Sequence, residues 1–419
     1  MKKNINIYLK YYFSILFFFS VIYLHQKHFV GNDSTISEWL INYSGGFTKR
    51  GVIGQLCLYI ATYFKLNLRD AILIIQICLL ALYFIILYSF LRNIIFNKIL
   101  VLAIFTPIFI LYPVAEIEVL ARKEVFIFCI FLSYLFLDKV KYKFYHKIFF
   151  LPLAVLIWEP VIFFFLFFFI IDLIDLKIKK FNIDLIKIIF SYFPSIILAF
   201  YIALNPLSAE GHNIMSNYLL TNFNENCYMS CALLKSKSTI FSQFEGNFES
   251  YSFTVFFRYT LIILIGFAPL FFLSVNSKLK NTKIIFLKKF DNLLSLILIC
   301  LTPVIILFAM GSDWGRWVNI GYVFSILLYL YLYKTNQIVL NKKIFDHKIY
   351  LFLNKKNIFI MIIIIYCFGW NPKTVITGDI ATNPLWKIPY NASKILFGFN
   401  NFRILQESPI SIWHKKYIE

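Results

Sequence analysis

Along the chain, long runs of apolar residues alternate with short polar stretches, and the runs recur at the length of a membrane crossing. Several hold about 18–20 residues without a charge, enough helix to cross the ~30 Å of a hydrocarbon core. A transmembrane barrel would show ~10-residue segments of alternating apolar and polar positions, and none is present. The pattern predicts an all-α, polytopic membrane protein with spans at 8–24, 71–91, 98–113, 124–138, 147–158, 160–172, 187–204, 255–274, 292–309, 317–333 and 357–370. Segment 51–64 is apolar but only about 21 Å long as a helix. It is expected to be an interfacial or re-entrant helix on the outer side.

The stretch 147–172 decides the topology. It contains Trp158-Glu159-Pro160. A residue before proline avoids helical geometry, and proline suits the first turn of a helix. The expectation is therefore two short helices meeting at Glu159, a hairpin that enters from the cytoplasm and returns. Under it, the later inner loops 173–186, 275–291 and 334–356 hold 14 Lys or Arg, against 3 in the outer segments 205–254 and 310–316. One continuous kinked span would reverse those numbers, against the cytoplasmic preference of positive charge. An alternative that makes 51–64 a full span and 147–172 a single one exports Lys139, Lys141, Lys143 and Lys147. The preferred reading has eleven crossings, the hairpin counted as two. The N-terminus, Met1-Lys2-Lys3, is cytoplasmic and the C-terminus outside. Residues 1–370 form one transmembrane domain with outer loops 25–50 and 205–254, and 371–419 is an outer tail.

Composition agrees with this class. Hydrophobic residues make up 60% of the chain and charged residues 15%, with a mean hydropathy of +0.74, where soluble domains are less apolar and more charged. The net charge of +20 does not point to nucleic acid, because the lysines are spread one loop at a time between spans. The first apolar run lacks a small-residue cleavage site and is expected to be a retained span.

The arginines behave differently from the lysines. There are 34 lysines and 7 arginines. Six of the seven (Arg50, Arg69, Arg122, Arg258, Arg316 and Arg403) fall on the predicted outer side, and only Arg92 falls inside. Cations on that side need a local reason, and an anion-handling site supplies one.

Four elements could build it. The first outer loop carries Asp33, Glu38, Tyr43, Gly45, Gly46, Lys49 and Arg50, just before the helix at 51–64. A glycine turn, two cations and a helix N-terminus make a phosphate cradle, or else a basic anchor on lipid headgroups. The second element is Glu116, Glu118, Arg122, Lys123 and Glu124. Glu118 and Arg122 are spaced to pair on a helix, and Glu124 is expected to pair with Arg122 or Lys123. The third is Gly311-Ser312-Asp313-Trp314-Gly315-Arg316-Trp317, a loop of almost no length between two spans. The fourth is Glu159 at the hairpin tip, a carboxylate at membrane depth whose burial is expected to raise its pKa.

Other signals are weaker. His25 and His28 are too few for a metal site, and His212 reads as a loop histidine. Cys227 and Cys231 are the two outer cysteines and are placed for a local disulfide. Walker, Rossmann, zinc and nucleophile-elbow motifs are absent from the sequence, so no metal or cofactor is expected, nor ATP- or NAD-driven chemistry.

Taken together, the first-loop acids, Gly-Gly-Phe-Thr-Lys-Arg-Gly at 45–51, the Arg-Lys-Glu start of a span at 122–124 and Asp-Trp-Gly-Arg-Trp at 313–317 carry a resemblance. The chain resembles bacterial multispanning proteins of surface-polysaccharide assembly, the O-antigen-polymerase-like and GT-C-like glycosyltransferases. The resemblance covers the span layout and three short motifs. It implies the bacterial cytoplasmic membrane and a sugar donor held as a polyprenyl phosphate or diphosphate, with inverting transfer at the outer face. Arg50, Arg122 and Arg316 would bind the leaving group, with Gly45, Gly46, Lys49, Lys123 and Asp313 assisting, and Asp33, Glu38 or Glu159 would be the base. Two departures leave polymerase and single-sugar transferase both open. Asp33 and Glu38 are five apart rather than a close pair, and 205–254 holds no arginine. The competing expectations are a transporter or flippase for a lipid-linked glycan, and a non-catalytic or acyl-transfer component of the same pathway.

Overall fold

The computed structural model describes residues 2–396, apart from 31–33, 236–239, 281–283, 288–289, 291, 342–347 and 377–382. About 75% of it is helical. Five helical segments are long and apolar enough to cross a membrane: Ile5–His28, Leu68–Leu91, Ile183–Leu204, Phe253–Val275 and Leu293–Met310.

The first half of the chain forms α1 (Lys2–Val30), α2 (Ser34–Leu40), α3 (Gly51–Phe64), α4 (Leu68–Leu91), α5 (Lys98–Phe105), α6 (Tyr112–Ala115), α7 (Glu124–Leu135), α8 (Val140–Ile157) and α9 (Phe165–Asp175). The second half adds α10 (Ile183–Leu204), α11 (Ala209–Phe223), α12 (Ile240–Phe248), α13 (Phe253–Val275), α14 (Leu293–Leu301), α15 (Ile305–Met310), α16 (Trp314–Lys334), α17 (Lys348–Asn354), α18 (Lys356–Ile362) and α19 (Pro384–Leu396). Many of these start on a short polar residue that caps the first free N–H groups. Asn67, Asn97, Asn182 and Asn292 accept from Arg69, Leu100, Leu185 and Ser295, and Ser208 and Ser252 do the same for Gly211 and Val255.

At the centre stands α16, in which every residue from Trp314 to Leu332 is buried. It packs against α7, α9 and α13, while α1, α4, α8 and α10 extend the bundle. Phe324 on α16 is the focus of an aromatic cluster, 4.6 Å between ring centroids from both Phe131 and Phe164 and 5.4 Å from Phe167. A helix buried on every side in this way is a core element, surrounded by protein. Strands β1 (Ser277–Leu279) and β2 (Ile338–Leu340) pair antiparallel just beyond the ends of α13 and α16.

The chain reverses between α8 and α9. Trp158 is extended, a 3-10 turn runs from Glu159 to Phe164, and Pro160 opens it. Lys147 midway along α8 pairs with Asp172 near the end of α9, and Lys143 in the first turn of α8 pairs with Asp175. In one continuous helix Lys147 and Asp172 would lie about 37 Å apart. Asp172 also accepts from Tyr134 at 2.5 Å and Tyr192 at 3.0 Å, so both legs are clasped at the base.

Several expected spans are shorter or broken. The segment 98–113 is helical only to Phe105, because Thr106 precedes Pro107 and turns extended (ψ 140°). The run 292–309 keeps its expected extent as Leu293–Met310, with a 3-10 turn at Thr302–Val304 within it, whereas 357–370 passes into a π-turn at Ile363–Cys367. The described part of the expected outer tail is packed on the bundle. Ile376 donates to Ser312 O at 3.0 Å, and Tyr23 of α1 donates to Ile388 O of α19 at 2.6 Å.

Candidate functional site

The four predicted elements meet at the tip end of the hairpin. Arg50 precedes α3 with a left-handed backbone (φ 63°) and sends its guanidinium to Glu159 as a fork, Nε to Oε2 and Nη2 to Oε1, both at 2.8 Å. Lys49 Nζ lies 3.8 Å from the same carboxylate.

Glu38 on α2 is the hub. It is fully buried, and three guanidiniums surround its Oε1. Arg122 hydrogen-bonds to it, while Arg316 and Arg50 lie 3.6 and 3.7 Å away. Burial alone would raise the pKa of Glu38, but Arg122, Arg316 and Arg50 outweigh it and hold the carboxyl well below the usual carboxylate range. Asp313 joins the other edge, its Oδ2 accepting from Arg316 at 3.2 Å and Arg122 at 3.5 Å. Its Oδ1 takes no hydrogen bond among the described residues. Arg316 completes the group by donating from Nε to Glu124. Its guanidinium also lies over the rings of Trp317 (5.0 Å) and Trp158 (5.9 Å). Lys123 is fully buried and donates to the Arg50 carbonyl at 2.5 Å.

The local folds explain these positions. Ala121 takes a left-handed turn (φ 50°) between the 3-10 turn Ile117–Val119 and α7, which swings Arg122 and Lys123 inward. Gly315 sits where a Cβ would come within 1.9 Å of Lys373 O, and its own N–H donates to Thr374 O at 3.1 Å. The strap 371–376 thereby fixes the turn that carries Asp313 and Arg316. Gly45 has a similar reason, since a Cβ there would lie 1.8 Å from Gly211 O of α11. Gly46 turns with φ +112°.

Three sequence expectations are corrected. Arg122 reaches Glu38 and not Glu118, because the turn at Ala121 breaks the helical register that would pair them. Glu124 pairs with Arg316, brought in from a helix 192 residues away in sequence. The pKa of Glu159 is not raised. Burial pushes it up, but Arg50 and Lys49 together bring it down to about 2.

Asp33 and Arg403 lie outside the described residues. The other arginines expected on the outer side are elsewhere. Arg69 pairs with Glu225, and Arg258 donates to Ile376 O at 2.7 Å. His28 faces Asp70 at 3.0 Å, and His212 lies 3.3 Å from the sulfur of Cys227. Cys227 and Cys231 are joined as a disulfide, and Ser230 within that loop donates to Ser37 Oγ at 3.1 Å, docking the loop on α2 beside Glu38. Sequence reasoning missed the partnership of Trp158 and Trp317, whose ring centroids lie 6.2 Å apart, and the cluster in which Lys387, Asn371 and Lys373 gather on Glu116. An acid inside an otherwise apolar stretch was the available signal for Glu116.

Chemically, the cluster sets five cations (Lys49, Arg50, Arg122, Lys123, Arg316) against four carboxylates (Glu38, Glu124, Glu159, Asp313). Four buried donors, Arg122 Nε, Arg316 Nη2, Trp158 Nε1 and Trp317 Nε1, have no acceptor among the described residues. Two buried acceptors, Glu38 Oε2 and Glu124 Oε2, likewise have no donor among the described residues. Buried polar groups are normally paired, so the hydrogen bonding of this cluster is incomplete on both sides. The nearby cavity, walled by Glu124, Arg316, Asn319 and Phe128, holds only about 30 Å³, too little for a sugar. A ligand must therefore approach from the side where Lys49, Glu159 and Asp313 are part-exposed. Among the described residues no group of His, Cys, Asp and Glu is arranged to hold a metal ion. A comparison of the chain with protein families, curated proteins and solved structures finds no match.

Proposed function

We propose that this protein is a membrane glycosyltransferase or polymerase that uses a polyprenyl-(di)phosphate-linked sugar at the outer face of a bacterial cytoplasmic membrane, in surface-polysaccharide biosynthesis. The observation that carries the reading is the convergence of Arg50, Arg122 and Arg316 on Glu38, with Lys123 beneath and Asp313 at the rim. Arginine forks suit phosphate oxygens, and the unpaired donors supply hydrogen bonds that such oxygens would accept.

In this reading the diphosphate takes the guanidiniums and becomes the leaving group. An acceptor hydroxyl attacks the anomeric carbon, a C–O bond forms there, and the bond to the phosphate oxygen breaks with its electron pair leaving on the diphosphate. The hydroxyl proton needs a carboxylate. Glu38 is enclosed, and both oxygens of Glu159 are held by Arg50. Asp313 takes no hydrogen bond at Oδ1 among the described residues, which favours it as the base over the two glutamates.

The test is surface-glycan chain length, read by gel, in a deletion strain complemented with Arg50→Ala, Arg316→Ala or Asp313→Asn at matched protein levels. Loss of full-length glycan in all three supports the reading. Full-length glycan in all three would leave the cluster a topological and lipid-anchoring device and end the transferase proposal.

A further inference from the structure

Lys123 is enclosed to 0% exposure, although lysine normally keeps its ammonium in water. Its Nζ has one hydrogen-bond acceptor among the described residues, the Arg50 carbonyl. An ammonium carries three N–H donors, so the charged form is under-satisfied here. The groups that face it are Glu38 of α2, Arg50 before α3, Cys57 of α3 and Glu159 of the hairpin turn. Glu159 is held by Arg50 at both oxygens, and Glu38 meets its arginines through Oε1, while no hydrogen bond joins Lys123 to either carboxylate among the described residues.

We propose that Lys123 is the proton-linked member of this anion site: a phosphoryl anion that enters the cluster brings a proton with it, and the proton settles on Lys123. The inference rests on the anion-binding part of the reading above. Phosphate oxygens that engage Arg50, Arg122 and Arg316 loosen those arginines from Glu38 and Glu159. The freed carboxylates and the anion itself then favour the ammonium. Before binding, burial holds Lys123 at about 8, so at mildly alkaline pH both forms are populated. A ligand that prefers one of two populated protonation states must change the number of bound protons.

The experiment is isothermal calorimetry of the full-length protein in detergent micelles with farnesyl diphosphate, at pH 8 in two buffers of different ionisation heat. Wild type is expected to take up about half a proton more than Lys123→Met, because a group with a pKa of 8 is half charged there. The ligand's own titration cancels in that difference. Wild-type affinity is expected to fall about tenfold from pH 7 to pH 9. Lys123→Arg, permanently charged, is expected to bind with no uptake from this position and with a flat profile, and it serves alone if the methionine variant does not fold. Equal proton uptake by wild type and Lys123→Arg overturns the proposal and leaves the anion site standing. No binding of farnesyl diphosphate by wild type at any pH overturns the anion site and this proposal with it.

Discussion

Arg50 and Glu159 stand 109 residues apart in sequence and meet fork to fork, both nitrogen–oxygen distances 2.8 Å. The pair ties the segment before α3 to the tip of the hairpin. Each side chain is about a fifth exposed, so solvent screening tempers its strength. A double-mutant cycle with Arg50→Ala and Glu159→Gln is expected to give a coupling energy of roughly 1–2 kcal/mol. Unfolding in micelles measures it, and additive single effects would mean that the fork does not hold the tip.

Lys123 makes stability depend on alkaline pH. Its ordinary pKa is 10.5 and its folded value about 8. Between those values the unfolded chain binds more protons than the folded one, so stability rises with pH across that window. The gain is on the order of 3 kcal/mol at most. Lys123→Met is expected to flatten the rise in apparent Tm between pH 8 and 10. An unchanged slope in the variant would assign the rise to another group.

Gly315 tests the strap. A methyl group there meets Lys373 O at 1.9 Å, a backbone atom that cannot step aside alone. Gly315→Ala is expected to displace 371–376 and the Asp313–Arg316 turn together, lowering Tm by several degrees and abolishing glycan extension. Gly246→Ala, in open space, is the matched control and is expected to leave both unchanged.

The clasp at the hairpin base offers a separate test. Removing Lys147 alone leaves Asp172 buried without its cation, at a cost of about 3–5 kcal/mol. Replacing both, as Lys147→Met with Asp172→Leu, is expected to recover much of that loss. Thermal unfolding of the single and double variants decides it: a double variant no more stable than the single would mean that the site needs its charges.

The sequence made the ingredients of the site legible and left their arrangement hidden. Arg50, Arg122, Arg316, Glu38 and Glu159 stand out because charge is scarce in this chain, and Pro160 marks the reversal because proline restricts the residue before it. Glu38 as the hub was not legible, since the three arginines reach it from distant parts of the chain. The same holds for Glu124 with Arg316 and Lys147 with Asp172, which become neighbours only through helix packing. One span was overextended where apolarity continued across a proline, at Pro107, because hydropathy registers burial and not backbone continuity. The local pairing of Glu118 with Arg122 failed for a related reason, a left-handed turn at Ala121 that no periodicity reveals.

The fully covered α16 bears on biogenesis. Arg316, Asn319, Ser325 and the tyrosines at 322, 329, 331 and 333 make it a poor guest for hydrocarbon, and it is not among the segments apolar enough to cross alone. In a glycosylation-mapping assay α16 by itself is expected to insert inefficiently, and efficiently once α7, α9 and α13 are present in the same chain. The helix at the heart of the bundle would then be a late arrival, lodging in a groove its earlier-made neighbours have prepared, so the nascent protein matures from its periphery toward its axis.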